Sequence, residues 1–502
     1  MTGKFAADVL ICGAGAAGLA LAIDLARRGT SFRLIEKMDG PFHGSRGKGI
    51  QPRTQEIFED FGILDRIVAA GGTYPPERRY RDDGSYVDSV VMEHAAPTSA
   101  EPYQLPLMLP QFLTERMMRE RLCELGHGPE FGTELLGFEQ DSAGVIARLA
   151  SVSGEETLRV RWLVGADGGR SLVRHALGID FPGKTLGVRA VVADVMLNGL
   201  TRDAWHRFND GDMARQISLC PLAGTGLFQL QGPIPLDGDI DLSAEGLGAL
   251  VAQRTNRNDI HIQSVSWASA YSMNARLAER YRVGRVFLVG DAAHIHPPTG
   301  GQGLNTSVQD SYNLGWKLAA AAKGAPDALL DSYEEERRPV AASMLGLATK
   351  LLDAQKQGDM RRGREVRQLD IGYRKSSLAP ENSRRVGRPS AGDRAPDASI
   401  RGAAGQSTRL FDLFKGAHWT LLGYEVGRES VPPPRPDMHV HIIGPQGELI
   451  DDDSRLRDTY ALSAGDWVLV RPDGYIGAIV TTDELKTLES YLAQVGLGQV
   501  DV

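Results

Sequence analysis

Between Val289 and Asn305 the chain reads VGDAAHIHPPTGGQGLN. Two histidines, His294 and His296, follow the carboxylate Asp291, and Pro297, Pro298, Gly300, Gly301 and Gly303 come next. Three chemistries use such residue types. A catalytic zinc takes three protein ligands, which Asp291, His294 and His296 would supply. However, a second such pair, His439 and His441, lies elsewhere, nothing else nearby has ligand spacing, and PPTGGQG is unlike a ligand loop. The expectation is no metal, with the histidines packing or hydrogen bonding. The other two readings are an anion cradle and a wall around a flat cofactor. The glycines let backbone approach a ligand closely, and Leu304 and Asn305 offer free N–H groups at the positive end of a helix. Such dipoles would stabilise negative charge developing on a reduced ring.

Such a segment needs strands and helices to aim it. ADVLICGA (7–14) reads as a buried strand, GAAGLALAIDLARRG as a helix ending at Gly29, and SFRLIEK (31–37) as a second strand, together one βαβ unit. Its turn, Gly13-Ala14-Gly15-Ala16-Ala17-Gly18, is a GxGxxG. With 58 glycines in 502 residues, about one chance match is expected, so context decides. The context is a strand before, a helix after and Glu36 closing the next strand. That layout puts a pyrophosphate on the helix N-terminus and ribose hydroxyls on the carboxylate. Glu36 would repel a 2′-phosphate, so the fixed ligand is FAD or NAD. Cys12, before the first glycine, reads as strand packing.

RWLVGADG (161–168) and RVFLVGDA (285–292) are further apolar strands ending in Gly/Asp. From about 185 to 275 short strand-like runs alternate, predicting an antiparallel sheet inserted into the α/β domain. Long helices follow from 304. A stretch rich in Arg, Ser, Pro and Gly (361–406) reads as a linker wrapping the surface, and strand and helix patterns return after 407.

Composition agrees with a multidomain globular chain: 42% hydrophobic and 24% charged. The net charge of −8 gives no footprint for nucleic acid. Three cysteines, Cys12, Cys123 and Cys220, without a CxxC argue against a disulfide framework and suit a reducing cytoplasm. No apolar run reaches membrane-spanning length, and the early apolar run reads as the dinucleotide turn rather than a signal peptide.

At this point the chain resembles the FAD-dependent aromatic hydroxylases, single-component class A flavoprotein monooxygenases. GAGAAG with Glu36 and Lys37 resembles their first motif, Asp167-Gly168 in GADGGRSLVRHALG the second, and Gly290-Asp291 in GRVFLVGDAAHIHPPTGGQGLN the third. SRGKGIQPRTQEIF resembles the stretch whose arginine, here Arg46, lies between flavin and nicotinamide, and LPQFLTERMMRERL puts Gln111 at the ribityl chain. WVLVRPDGYIGAI is similar to the thioredoxin-like tail of the phenol and polyketide-hydroxylase branch.

The resemblance implies an α/β fold with a discontinuous Rossmann-like FAD-binding domain (1–74, 101–180, 280–360). It also implies a substrate sheet (75–100, 181–279) and a thioredoxin-like domain (407–502). It implies FAD as cofactor, NADPH or NADH as transient co-substrate, and oxygen transfer from dioxygen to a phenolic or polycyclic ring through a flavin 4a-hydroperoxide. Arg46 and Pro298 are expected beside the reacting atoms. Gly13, Gly15, Ala17, Gly18, Glu36, Lys37, Arg46, Gln111, Asp167, Asp291, Pro298, Gly301, Gly303, Leu304 and Asn305 are expected to bind cofactor. Trp205, Phe228 and Tyr271 are pocket candidates or plain core. Arg170 and Arg174 suit nucleotide phosphate or a solvated helix face equally. The partners are a small aromatic molecule and dioxygen, with a homodimer as the assembly to test. Baeyer–Villiger oxygenation on the same scaffold, or a flavin-free binding protein, are the alternatives.

Overall fold

The computed structural model describes residues 4–90, 95–212, 214–356, 361–380 and 389–498. In Ala7–Cys12, Val9, Leu10 and Ile11 have no exposed surface, as a strand covered on both faces requires. It pairs in parallel with Phe32–Glu36 on one side and Gly154–Gly165 on the other. The sheet runs Arg282–Val283, Val286–Leu288, Gly154–Gly165, Ala7–Cys12, Phe32–Glu36, Glu130–Phe131, with an antiparallel extension through Val145–Ser151 and Glu134–Gln140. The helix Ala16–Arg27 and the central helix Gly303–Ala322 pack on one another against it.

A second sheet has the long strands Gly183–Asn198 and His261–Leu277 at its centre. Phe228–Ile234, Ile217–Pro221 and Trp205–Phe208 continue it, and Glu77–Tyr80 and Tyr86–Ser89 close that edge. One helix was not foreseen among the strand-like runs, Ala244–Thr255. Ser243 caps it by accepting from Gly246 N at 3.1 Å, and Leu247 and Val251, one turn apart, are buried against the sheet. His294–Ile295 pairs with Arg276–Leu277 and so adds the opposite edge strand. The segment 289–305 therefore leaves the first sheet at Leu288 and joins the second six residues later.

The C-terminal sheet runs Ser407–Arg409, Ser399–Gly402, Leu449–Ile450, Met438–Ile443, Trp419–Tyr424, Asp466–Val470, Ile476–Thr481. A parallel pair beside an antiparallel hairpin, covered by the helix Leu485–Gln494, makes it thioredoxin-like. The stretch expected as a surface linker is different in kind. Ser399–Gly402 is a strand of this sheet, and Val366, Leu369, Tyr373 and Leu378 are core. Its arginines mislead by composition, since Arg394 is buried through an ion pair to Glu56 at 2.8 Å. Residues 381–388 of that stretch lie outside the described residues.

One buried carboxylate gathers groups from the C-terminal domain and from two helices of the first domain. Glu336, on the helix Ala328–Lys356, accepts from Arg471 at 2.7 and 2.8 Å, Lys317 at 2.7 Å, Asn313 at 2.7 Å and Ser376 at 2.8 Å. Arg471 also binds Asp473, which accepts from Trp316 Nε1 at 3.1 Å. Burial alone would push the Glu336 carboxyl up, but Arg471 and Lys317 hold it below its ordinary value. Glu336→Ala leaves two buried cations without their shared counter-charge. It is expected to cost about 3–5 kcal/mol in denaturant unfolding, and a loss under 1 kcal/mol, the scale of a surface pair, would contradict this reading.

Candidate active site

A single cavity of about 1810 Å³ lies between the first two sheets. That exceeds the roughly 300–1,000 Å³ of a one-ligand pocket, so it has room for a dinucleotide and a second molecule. At one end is the glycine turn. Gly13 has φ +107°, and a Cβ there would meet the Ala166 carbonyl oxygen at 2.3 Å. A Cβ on Gly18 would meet the Gly13 carbonyl oxygen at 1.9 Å. Gly18 is therefore a packing residue, and unlike Gly13, Gly15 and Ala17 it does not line the cavity.

Glu36 ends its strand beside this turn and accepts from Ala14 N at 2.9 Å and Met38 N at 3.0 Å. An ionised carboxylate has about four acceptor sites, so two remain for hydroxyls. Lys37 lines the same end. Glu115 does too, and sequence reasoning missed it. It accepts from Gln111 Nε2 at 2.8 Å, Gln111 accepts from Gly47 N at 3.3 Å, and burial pushes the Glu115 carboxyl up. The four-residue spacing of Gln111 and Glu115 on one helix face was the available signal.

At the middle, Asp291 opens into the cavity from the short helical turn after Val286–Leu288. The surrounding protein pushes its carboxyl up, opposed by His294 and Arg46. Asp167 accepts from Val173 N at 3.1 Å through Oδ2, while its buried Oδ1 has no partner among the described residues. Pro298, Gly301, Gly303 and Leu304 line the wall, with Gly300 and Gly301 both at positive φ. Asn305 is buried behind them and does not line the cavity. It accepts from Gln51 N at 2.8 Å and donates to the Gly49 and Gly301 carbonyls at 2.9 and 2.7 Å, so it fixes the loop instead. Arg46 reaches in from the facing segment, over the rings of Phe42 (5.3 Å) and Trp267 (6.0 Å).

The far end is the inserted sheet. Trp205 and Tyr271 line it, and burial pushes the Tyr271 hydroxyl up to about 12. Phe228 does not line it. Strand side chains alternate, so Gln229 and Gln231 face the cavity while Phe228 and Leu230 lie in the core under the Ala244–Thr255 helix. Arg174 lines the cavity and is buried rather than solvated. It donates to the Ala292 and Gly169 carbonyls at 2.8 and 2.9 Å and stacks on Phe181, tying together two of the motifs. Arg170 is exposed at the cavity.

The histidines are held by protein groups. His294 Nε2 lies 2.6 Å from Asp310, which accepts from Arg337 Nε at 2.8 Å, and His294 Nδ1 lies 3.3 Å from His296 Nδ1. Among the described residues no group of three His, Cys, Asp or Glu is arranged to hold a metal ion.

A family profile described as "FAD binding domain" matches residues 6–348, and one described as "Aromatic-ring hydroxylase, C-terminal" matches 388–497. The chain belongs to the FAD-dependent aromatic-ring hydroxylases. It is 41% identical to a flavin-dependent monooxygenase of Mycobacteroides abscessus over 97% of this chain and 99% of that one. It is 32% identical to pentachlorophenol 4-monooxygenase of Sphingobium chlorophenolicum, covering 94% and 93%. The structure of aklavinone-11 hydroxylase with FAD and aklavinone superposes with a TM-score of 0.83 at 29% identity, covering 98% and 99%. This hydroxylase is thus an FAD-dependent monooxygenase, and among its described residues no helix is long and apolar enough to cross a membrane.

Burial and the neighbouring His294 lower the His296 imidazole of this hydroxylase to about 3, from its ordinary 6.5. The fold therefore favours neutral imidazole. The stability this contributes is fully present above 6.5 and is lost as pH falls toward 3. Thermal unfolding across that range should show a steeper acid limb in the parent than in His296→Gln. Coincident acid limbs would remove the assignment.

Proposed function

We propose that this enzyme uses NADPH or NADH and dioxygen to hydroxylate a phenolic or polycyclic polyketide-type ring. The observation that carries the reading is the continuity of one cavity from the Gly13–Glu36 end, past Asp291 and Pro298, to Trp205 and Tyr271. A cofactor lying along it would meet a second molecule at the sheet without crossing solvent. Relatives point the same way by their names, which include rifampicin and anhydrotetracycline monooxygenases.

The residues divide the work by position. The N–H groups after Gly15 receive the pyrophosphate of FAD, and the open acceptor sites of Glu36 receive its adenosine ribose. Asp291 and Gln111 hold the ribityl chain, and Gly301, Gly303 and Leu304 present N–H groups of a helix start to the pyrimidine edge. Bound FAD supplies reduction by the nicotinamide and activation of dioxygen, chemistry that side chains cannot perform. Arg46, aimed by two aromatic faces, is the cation for the transient nucleotide, and the Pro297–Pro298 turn bounds the reacting edge. The protein's remaining task is to keep water from this space.

The purified protein should carry flavin absorption. NAD(P)H oxidation should be stimulated by a member of a panel of phenols and hydroxyanthraquinones, with one atom from labelled dioxygen in a ring hydroxyl. A lactone or ester product would replace hydroxylation with Baeyer–Villiger oxygenation. Asp291→Ala should copurify with much less FAD, and unchanged flavin content would remove the ribityl assignment.

A further inference from the structure

Lys48 follows Arg46 by two residues, and its side chain is used differently. Its carbonyl accepts from Leu109 N at 2.9 Å, which fixes the backbone against the Leu107–Met108 strand. From there the side chain crosses the cavity wall to the inserted sheet. Nζ donates to Gln229 Oε1 at 2.7 Å and lies 4.3 Å from the centre of the Trp205 ring. Gln229 is itself fixed, because its Nε2 donates to the Ser45 carbonyl and, at 2.9 Å, to Ser45 Oγ, and Gln231 donates to its Oε1 at 2.9 Å.

Most neighbouring charges are already committed. Arg207 is bound to Asp210 at 2.7 Å and to Glu77 at 3.4 Å. Asp194 accepts from Ser45 N at 2.8 Å. Burial pushes the Cys220 thiol and the Tyr74 hydroxyl up, and Cys220 is a second side-chain partner of Lys48. Among the described residues no carboxylate forms an ion pair with Lys48. A half-buried ammonium in the cavity wall, with a neutral amide and a thiol as partners and a ring face beside it, is costly to desolvate further once a second molecule covers it. Burial accordingly lowers its pKa, and Arg207 adds to this, against Cys220 and Asp194. What the arrangement lacks is an anion in direct contact with Nζ, Asp194 acting only from a distance, and the side chain opens onto the space where the second molecule would lie.

We propose that Lys48 determines substrate selection by binding an acidic ring hydroxyl, phenol or enol, as its anion, with Gln229 orienting Nζ and Trp205 bounding the ring. This rests on the hydroxylase reading above. The O–H bond breaks heterolytically. Its proton passes to Nζ where the amine is neutral and to solvent where it is already ammonium, and the bound pair is phenolate and ammonium in both cases. No electron is transferred. The charge left on oxygen raises electron density at the ring carbons ortho and para to it, as oxygen insertion requires. A ring whose hydroxyl is methylated leaves Nζ unpaired and is rejected, as sites built around a substrate hydroxyl reject analogues without it.

The test uses the FAD-loaded enzyme and 2-hydroxyanthraquinone, whose visible band shifts to the red on ionisation, at a pH where the free dye is neutral. The parent should bind it with the band of the anion, and Lys48→Arg, which keeps the cation, should do the same. Lys48→Met should lose the anion band and bind about 10- to 100-fold more weakly, the range for removing a hydrogen bond to a charged group. 2-Methoxyanthraquinone should bind the parent more weakly than Lys48→Met, which has no ammonium to leave without an anion. Flavin content reports folding, and Lys48→Gln carries the same comparison if the methionine variant loses FAD. An anion band retained by both neutral variants, with phenol-dependent NAD(P)H oxidation intact in the parent, overturns the Lys48 assignment and leaves the hydroxylase reading standing. A parent that loads FAD yet oxidises NAD(P)H with no phenol of the panel overturns that reading and the assignment with it.

Discussion

The Glu336 carboxylate, with Arg471 and Lys317 closed around it, is the constraint on which the rest of the structure depends. Ions this deep are stable only when every lone pair and proton is met, and here the partners come from separate parts of the chain. Lys317 and Asn313 belong to the central helix, Glu336 to the next helix, Ser376 to the stretch between domains and Arg471 to the C-terminal sheet. Satisfying one carboxylate therefore fixes the C-terminal domain against the helix whose first turn ends at the cavity. That gives a domain whose residues do not line the cavity a physical route to its geometry.

The central helix extends this control toward the chemistry. Near its start Asn305 clamps the Gly49 and Gly301 backbones, and one turn on Asp310 takes both His294 and Arg337. Ser311 donates to the Ala17 carbonyl at 2.7 Å, joining it to the dinucleotide turn. The polar residues near the start of this buried helix are spent on loops and turns bordering the cavity, and those further along, Asn313 and Lys317, on Glu336. The segment 289–305 is held by these contacts while it passes from one sheet to the other, so a change at either sheet is felt at Asp291 and Pro298.

A bound organic cofactor supplies the reactivity, so the protein needs dipoles, a dry channel and a means of recognising the ring. Lys48 and Gln229 meet that last need at one strand of the inserted sheet, and Arg46 lies over Trp267 on another. Two cations two residues apart reach different strands of that sheet because one is stacked on Phe42 and Trp267 and the other is drawn to Gln229.

Sequence alone determined what depends on local spacing. The Gly13–Gly18 turn with Glu36, the paired Asp167 and Asp291 at strand ends, and the alternation of the inserted sheet each follow from periods of two or 3.6 residues and from where a side chain cannot fit. The α/β fold, the family and the flavin followed from them. Tertiary structure decided which face of a strand looks inward, which separates Phe228 in the core from Gln229 in the cavity. It also decided which charges are paired. Arg394 lies in a stretch that reads as a surface linker and Arg174 suits nucleotide phosphate or a solvated face equally, yet both are buried. Lys48 reads as one more basic residue yet has no carboxylate ion pair among the described residues. Partners of that kind come from residues hundreds of positions apart, and no local pattern encodes them. His294 and His296 show both halves: the sequence around them pointed to hydrogen bonding rather than a metal, and the fold supplied the partner, Asp310, sixteen residues on.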